Sequence, residues 1–232
     1  MNIKDVLIIS EAVASDAFFK DFFVRKKDGS IICKTEYGYK RVQFQHYNTY
    51  DLVRDDLALE MKPVYGVRFN VLHKWFEKYQ VRPLNYVRDE ESVAFSGNQF
   101  GEREDYYFLE NRYEYEKDLR VLRTEVVKNA KFIFSKYSSL QDYYRYIVVE
   151  TINGRRKFLD IGIEWAMDFL TATKIAAPSD YQRVKEVVLQ RIEMLNNRNE
   201  PNIIKYYDDL PMILEDLEST DFNSGKWGVI PK

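Results

Sequence analysis

The spacing of apolar residues changes several times along the first half of the chain. Ile3, Val6, Leu7, Ser10, Ala14, Ala17 and Phe18 fall at helical intervals, which predicts a helix within residues 3–23, although Val6 to Ile9 alone would also suit the start of a strand. Asp28-Gly29 then separates FFVRKK from SIICKTEY, the turn pair of a tight two-stranded hairpin. A second turn near Tyr37-Gly38 leads to Val42, Phe44 and His46 alternating with Arg41, Gln43 and Gln45, the period of a half-buried strand. Leu57, Leu59 and Met61 repeat that alternation, and Pro63 is expected to end their strand or confine it to an edge. These segments predict an antiparallel meander. Asn70 is the expected N-cap of a helix through VLHKWFEKY, with Leu72, Trp75, Phe76 and Tyr79 on one face. Residues 80–103 read as loop with a short strand at Val93–Phe95, and residues 106–109 read as a further strand.

From about residue 115 the period becomes helical. Leu119, Leu122, Val126, Ala130, Ile133 and Tyr137 form one stripe, and Tyr181, Val184, Val188, Ile192 and Leu195 form another, which Ser179 and Gln182 are expected to open as a capping box. Residues 161–175 are apolar on all sides, as in a buried helix. Residues 140–152 are ambiguous, because Asn153-Gly154 suits either a helix end or a hairpin turn joining YIVVETI to RRKFL. A short helix is expected over Leu210–Leu217 with Pro211 in its first turn, followed by a loosely docked tail. The pattern as a whole predicts an α+β fold. An N-terminal helix and antiparallel sheet (about residues 1–112) pack with C-terminal helices (about residues 115–218). One domain over 1–232 is expected, with a division into 1–114 and 115–232 as the alternative.

Composition narrows the functional classes. Forty-five per cent hydrophobic and 31% charged residues suit a globular chain. A net charge of −2 provides no global field for nucleic acid or anionic lipid. No stretch approaches the roughly 20 apolar residues of a membrane span. The single cysteine, Cys33, and the absence of a basic leader at the start point to a reducing, cytoplasmic setting. The aromatic content stands out, with 18 Tyr and 15 Phe. Tyr has an apolar body and a polar tip, so a surplus suits interfaces.

Catalytic signatures are sparse. His46 and His73, with Cys33, make no metal-ligand or triad spacing; His46 reads as a structural histidine and His73 as an ion-pair partner of Glu77 on a helix face. The glycines form no phosphate-binding loop, and Gly97 with Gly101 is read as a simple turn. Glu60-Met61-Lys62 puts an acid and a lysine on one face of a strand and resembles the Glu-x-Lys half of restriction-endonuclease-like nucleases. That resemblance implies a metal-holding Glu60 and a water-positioning Lys62, with a further carboxylate from Asp51, Asp55 or Asp56. Glu and Lys also alternate on ordinary solvent-facing strands.

Charge is unevenly placed. Arg25, Lys26, Lys27, Lys34, Lys40 and Arg41 alternate with Tyr37, Tyr39, Phe44, Tyr47 and Tyr50, whereas residues 200–221 are acidic but for Lys205. Cations interleaved with aromatics suit single-stranded nucleic acid; the plainer reading is that the rings face the core and the cations face water. The expectation is a non-catalytic binding or interaction protein of adaptor or immunity-like type, with no cofactor. It would present Arg25, Lys26, Lys27, Tyr37, Tyr39, Lys40, Arg41 and Tyr47 to a protein partner. The alternative is single-stranded nucleic-acid binding, or metal-dependent cleavage through Glu60 and Lys62. The oligomeric state is not encoded in any of these patterns.

Overall fold

The structure is a computed structural model and describes residues 3–51, 56–79, 90–96, 106–109, 115–155 and 163–227. It has the predicted α+β composition: an N-terminal helix, one antiparallel sheet and a series of C-terminal helices. The chain divides into two compact units, Met1–Arg68 with Val93–Lys136, and Phe69–Ser92 with Tyr137–Lys232.

The first unit holds α1 (Ile3–Ala14), β1 (Phe23–Val24), β2 (Ile31–Thr35), β3 (Gly38–Asp51), β5 (Val93–Ser96), β6 (Tyr106–Leu109) and α3 (Tyr115–Lys136), with all but the last residue of β4 (Asp56–Phe69). The strand order is β1-β2-β3-β4-β5, and β6 also pairs with β4. β4 carries both short strands in line, Met61 to Ala58 against Tyr106 to Leu109 and Val64 to Val67 against Ser96 to Val93. The sequence expectation that Pro63 ends the strand or puts it at an edge is therefore corrected. Pro63 lies inside β4, between the residues paired with β6 and those paired with β5, so its missing N–H removes no rung from either ladder.

The predicted helix over 3–23 stops at Ala14. Asp16 accepts a hydrogen bond from the Phe18 N–H at 3.0 Å and caps a separate 3-10 turn at Ala17–Phe19, so Ala17 and Phe18 leave the stripe of α1. The hairpin at Asp28-Gly29 forms as expected, with Phe23 opposite Ile32 and Val24 opposite Ile31. α1 packs on α3 and β1, and α3 also touches β3 and β6. Val6, Ile9 and Val13 of α1, Val42 and Phe44 of β3, Phe108 of β6, and Leu122, Val126, Ala130 and Ile133 of α3 are buried in this core. Inside it the Asn129 amide donates to the Tyr65 hydroxyl at 3.3 Å.

The second unit is helical: α2 (Asn70–Lys74), α4 (Leu140–Tyr143), a π turn (Tyr144–Val149), α5 (Glu150–Ile152), α6 (Ile163–Ala176), α7 (Tyr181–Asn197), α8 (Pro201–Tyr207) and α9 (Leu210–Ser219). Asn70 is the first helical residue rather than the N-cap, a position Phe69 takes. The expected nine-residue helix there breaks after Lys74 into a 3-10 turn at Glu77–Tyr79. Trp75 and Phe76 are both buried, Trp75 against Phe222 and Phe76 against Tyr206, as expected of residues on one apolar face.

The ambiguity over residues 140–152 is resolved as helix. Asn153 caps it, and Gly154 at φ +72° ends it with its N–H donating to Thr151 O at 3.0 Å; residues 156–162 lie outside the described residues. The stripe of α7 is buried throughout, but its expected capping box is not. Ser179 sits inside a 3-10 turn at Pro178–Asp180, and Asp180 occupies the N-cap position. A capping box opens α4 instead, where Asp142 N donates to Ser139 Oγ at 3.1 Å and Ser139 N to Asp142 Oδ2 at 3.2 Å. Pro211 falls in the first turn of α9, as predicted.

The tail is also corrected. Lys174 of α6 donates to the carbonyls of Leu217, Glu218 and Thr220 at 2.7–3.0 Å and lies over the ring of Phe222, which is buried; the Trp227 indole donates to Asp221 O. A cation at the end of α9 meets both the orphan carbonyls and the negative end of the helix dipole, and this holds the segment that follows.

Candidate functional site

The β1–β2 hairpin begins with a structural ion pair. Arg25 Nε donates to Asp28 Oδ1 at 3.1 Å, a second contact joins Arg25 Nη2 to Asp28 Oδ2, and the same carboxylate accepts from Ser30 N at 3.0 Å. Burial pushes the Asp28 carboxyl up, but the Arg25 guanidinium and the Ser30 N–H together hold it below its ordinary value. Arg25 is thus engaged in shaping the turn, while Lys26 and Lys27 beside it are exposed.

Strand geometry separates the remaining cations and rings. β2 and β3 pair Lys34 with Tyr39, Cys33 with Lys40 and Ile32 with Arg41. Tyr39 and Arg41 share a face, and the Arg41 guanidinium, buried at 5% exposure, lies 5.5 Å from the Tyr39 ring centre. Lys40 belongs to the opposite face with Val42 and Phe44, and its ammonium lies 6.0 Å from the ring centre of Phe134 in α3. Tyr37 sits half-buried in the β2–β3 turn, where burial pushes its phenol up. Of the eight predicted surface residues, the structure therefore brings Tyr39 and Arg41 together and turns Lys40 away from them. Burial also pushes the Cys33 thiol up, so it is not activated as a nucleophile.

Sequence reading missed a ring cluster around Phe134. Phe18 and Phe22 stack on it at 6.4 and 5.9 Å, and Lys131 lies 5.5 Å from the Phe18 ring centre. The paired phenylalanines at 18–19 and 22–23 were the available signal; that they meet α3 was not legible.

Beyond Phe44 the character of β3 changes. Gln45, Tyr47, Asn48 and Tyr50 are exposed, and His46 and Thr49 are half-buried, so both faces of the strand are open. Tyr47 is 56% exposed, Tyr50 47%, and Leu57 at the start of β4 51%. These three are the most exposed large apolar side chains among the described residues of the sheet. Half of the other described tyrosines are spent in cores, Tyr65, Tyr106, Tyr137, Tyr143, Tyr144, Tyr181 and Tyr206 being buried, and the rest are half-buried.

The candidates for chemistry are placed as follows. Glu60 and Lys62 do share a face, 3.4 Å apart and partly buried, and they pair with each other. Asp55 lies outside the described residues, and no group of three metal-capable side chains gathers among the described residues. His46 Nδ1 is 3.2 Å from Phe44 O. The solvated His73–Glu77 pair is corrected: His73 is buried, with Nε2 2.8 Å from Ser92 Oγ, which also accepts from Phe69 N. In the acidic segment, Asp216 pairs with Lys78 at 2.9 Å and Glu218 with Lys185, cations of the same unit. No helix among the described residues is long and apolar enough to cross a membrane.

The fold and surface thus define a class, an α+β protein with a helix-backed antiparallel sheet and exposed tyrosines on its β3 strand. Comparison with known proteins finds no match, whether to a family model, a curated protein or a solved structure.

Proposed function

We propose that the protein is a non-catalytic interaction protein whose β3–β4 ribbon is the contact, with Tyr47, Tyr50 and Leu57 at its centre. The observation that carries this reading is the exposure of Tyr47 and Tyr50 on β3 and of Leu57 at the start of β4, while the remaining described aromatics largely serve cores. Tyr side chains supply large contact area at small entropic cost, which is why they concentrate at binding surfaces. An adaptor or immunity-like role fits such a surface.

The test places a photoreactive amino acid at Leu57 and, as a control, at the exposed Glu193 of α7, in native cells. The expected result is a discrete adduct from Leu57, absent from Glu193, that excess wild-type protein competes away and Tyr47→Ala/Tyr50→Ala protein does not. Equal labelling at both positions, or none at either, would remove the reading.

A second reading, single-stranded nucleic-acid binding, is favoured by one observation: the Phe18–Phe22–Phe134 cluster with Lys40 and Lys131 at its rings. Stacking and cationic contacts would act there together. A salt titration with single-stranded DNA and RNA tests it, and affinity that does not weaken with salt would exclude it.

A further inference from the structure

An edge strand presents a row of backbone N–H and C=O groups to any strand that can approach, and proteins usually blunt such rows with Lys, Pro, a bulge or a covering element. The ladder between β2 and β3 runs only from Thr35↔Gly38 to Ile31↔Val42, yet β3 continues to Asp51. Among the described strands, β4 lies on one side of that continuation and none on the other. The stretch from Gln43 to Tyr50, QFQHYNTY, holds no Pro, Lys, Arg or carboxylate. Gln45, Tyr47, Asn48 and Tyr50 of the stretch have exposed side chains.

We propose that this outer edge of β3, Gln43 to Asp51, pairs antiparallel with the same stretch of a second copy of the chain, with Tyr47 on the two-fold axis. The stretch is self-complementary in that register. Tyr47 meets its own counterpart, His46 meets Asn48, Gln45 meets Thr49, and Phe44 meets Tyr50, so polar pairs with polar and aromatic with aromatic. Charge agrees with the direction. Along the chain Lys40 and Arg41 precede the stretch and Asp51 follows it directly, with Arg54, Asp55 and Asp56 beyond; antiparallel pairing sets the Lys40–Arg41 end of each copy beside the Asp51 end of its mate, whereas parallel pairing would set like beside like. Two-fold contacts of this isologous kind are the commonest in homo-oligomers. The partner so identified is a second copy of this chain, and strand addition is the mode of binding.

The inference rests on the reading of the ribbon as a protein contact, and the test keeps the two apart. Sedimentation equilibrium of the full chain should give the mass of two chains. Tyr47→Lys and Tyr47→Glu, each placing like charges on the axis, should each give one chain, and mixing them in equal amounts should restore two. In a Cys33→Ser background, Tyr47→Cys should form a disulfide-linked dimer under mild oxidation, since directly opposed cross-strand Cβ atoms lie roughly 4.5–5.5 Å apart. That crosslink decides the matter even where circular dichroism shows a charged variant unfolded. A wild type that stays monomeric at every concentration overturns the proposal, as does a dimer that neither charged variant splits and Tyr47→Cys does not link. A monomer that still gives the competed Leu57 adduct, at a mass other than two chains, would overturn self-pairing alone; loss of the adduct would overturn the contact itself.

Discussion

Replacing Gly29 by Ala separates two costs that a turn glycine can carry. Gly29 has φ +71°, and a Cβ there would lie 2.9 Å from Val6 Cγ1 and 3.0 Å from Ser10 Oγ. Both neighbours belong to α1 and are fully buried, so neither can yield without moving the helix. Gly154 at φ +72° has nothing within 4 Å of its added Cβ. The left-handed conformation costs an L residue about 1–2 kcal/mol, offset by roughly 0.4–1 kcal/mol from the stiffer unfolded chain. Gly154→Ala should therefore cost about 1 kcal/mol, and Gly29→Ala should cost the same plus about 1–3 kcal/mol of overpacking. Urea unfolding followed by far-ultraviolet circular dichroism measures the difference. All three tryptophans, Trp75, Trp165 and Trp227, lie in the second unit, so their fluorescence should follow Gly154→Ala, and miss Gly29→Ala if the units unfold in separate steps. Equal costs for the two substitutions, within about 0.5 kcal/mol, would refute the claim that the β1–β2 turn is wedged against α1.

Three further outcomes are expected. Lys174→Met should destabilise the second unit by about 2 kcal/mol, the scale of a charged hydrogen bond to backbone carbonyls, and should speed proteolysis at Lys226; tryptophan fluorescence in urea and limited trypsin digestion check both. Burial, with Glu218 adding to it, pushes the Tyr181 phenol up to about 12. In the unfolded chain it ionises near pH 10, so the folded state holds its proton longer and stability falls as pH rises from about 10 to 12. Tyr181→Phe should flatten that alkaline loss and, because the hydroxyl has no hydrogen-bond partner among the described residues, should leave stability at neutral pH unchanged or higher. Asp28 has a lowered carboxyl pKa, so its contribution is present above its unfolded value of 3.8 and fades as pH falls through the folded value; Asp28→Asn should be less stable than wild type at pH 7 and indistinguishable from it in strong acid, by thermal unfolding.

Periodicity made much of this fold legible. The stripe of α7 and most of that of α3 are buried as read, and the alternation of Val42 and Phe44 marks the core side of β3, because burial along one element depends on its own repeat. Boundaries were less legible where two patterns competed. Ser179 and Gln182 satisfy the capping-box rule, yet Pro178 starts a 3-10 turn that takes Ser179 inside it. α8 was not foreseen, since seven residues behind Pro201 are too few for a periodic signal.

The candidate surface was legible only in part, for a related reason. Composition drew attention to residues 24–50, and Tyr47 within it is exposed, but alternation sends Lys40 and Arg41 to opposite faces, and Arg25 is taken up by Asp28. Leu57 reads as core by its alternation with Leu59 and Met61 and is half exposed instead.

What the sequence by itself determined is the α+β class, the longer helix stripes, most strands and the turns at Asp28-Gly29 and Tyr37-Gly38, all of which follow from local repeats and backbone preferences. Only the tertiary structure decided that Pro63 sits harmlessly between two ladders, that His73 is buried, that Lys174 fastens the end of α9, and that β3 outruns β2 to leave a long uncharged strand edge. Each of these depends on which distant segment lies alongside, and pairing between segments far apart in the chain leaves no mark in the repeat of either one.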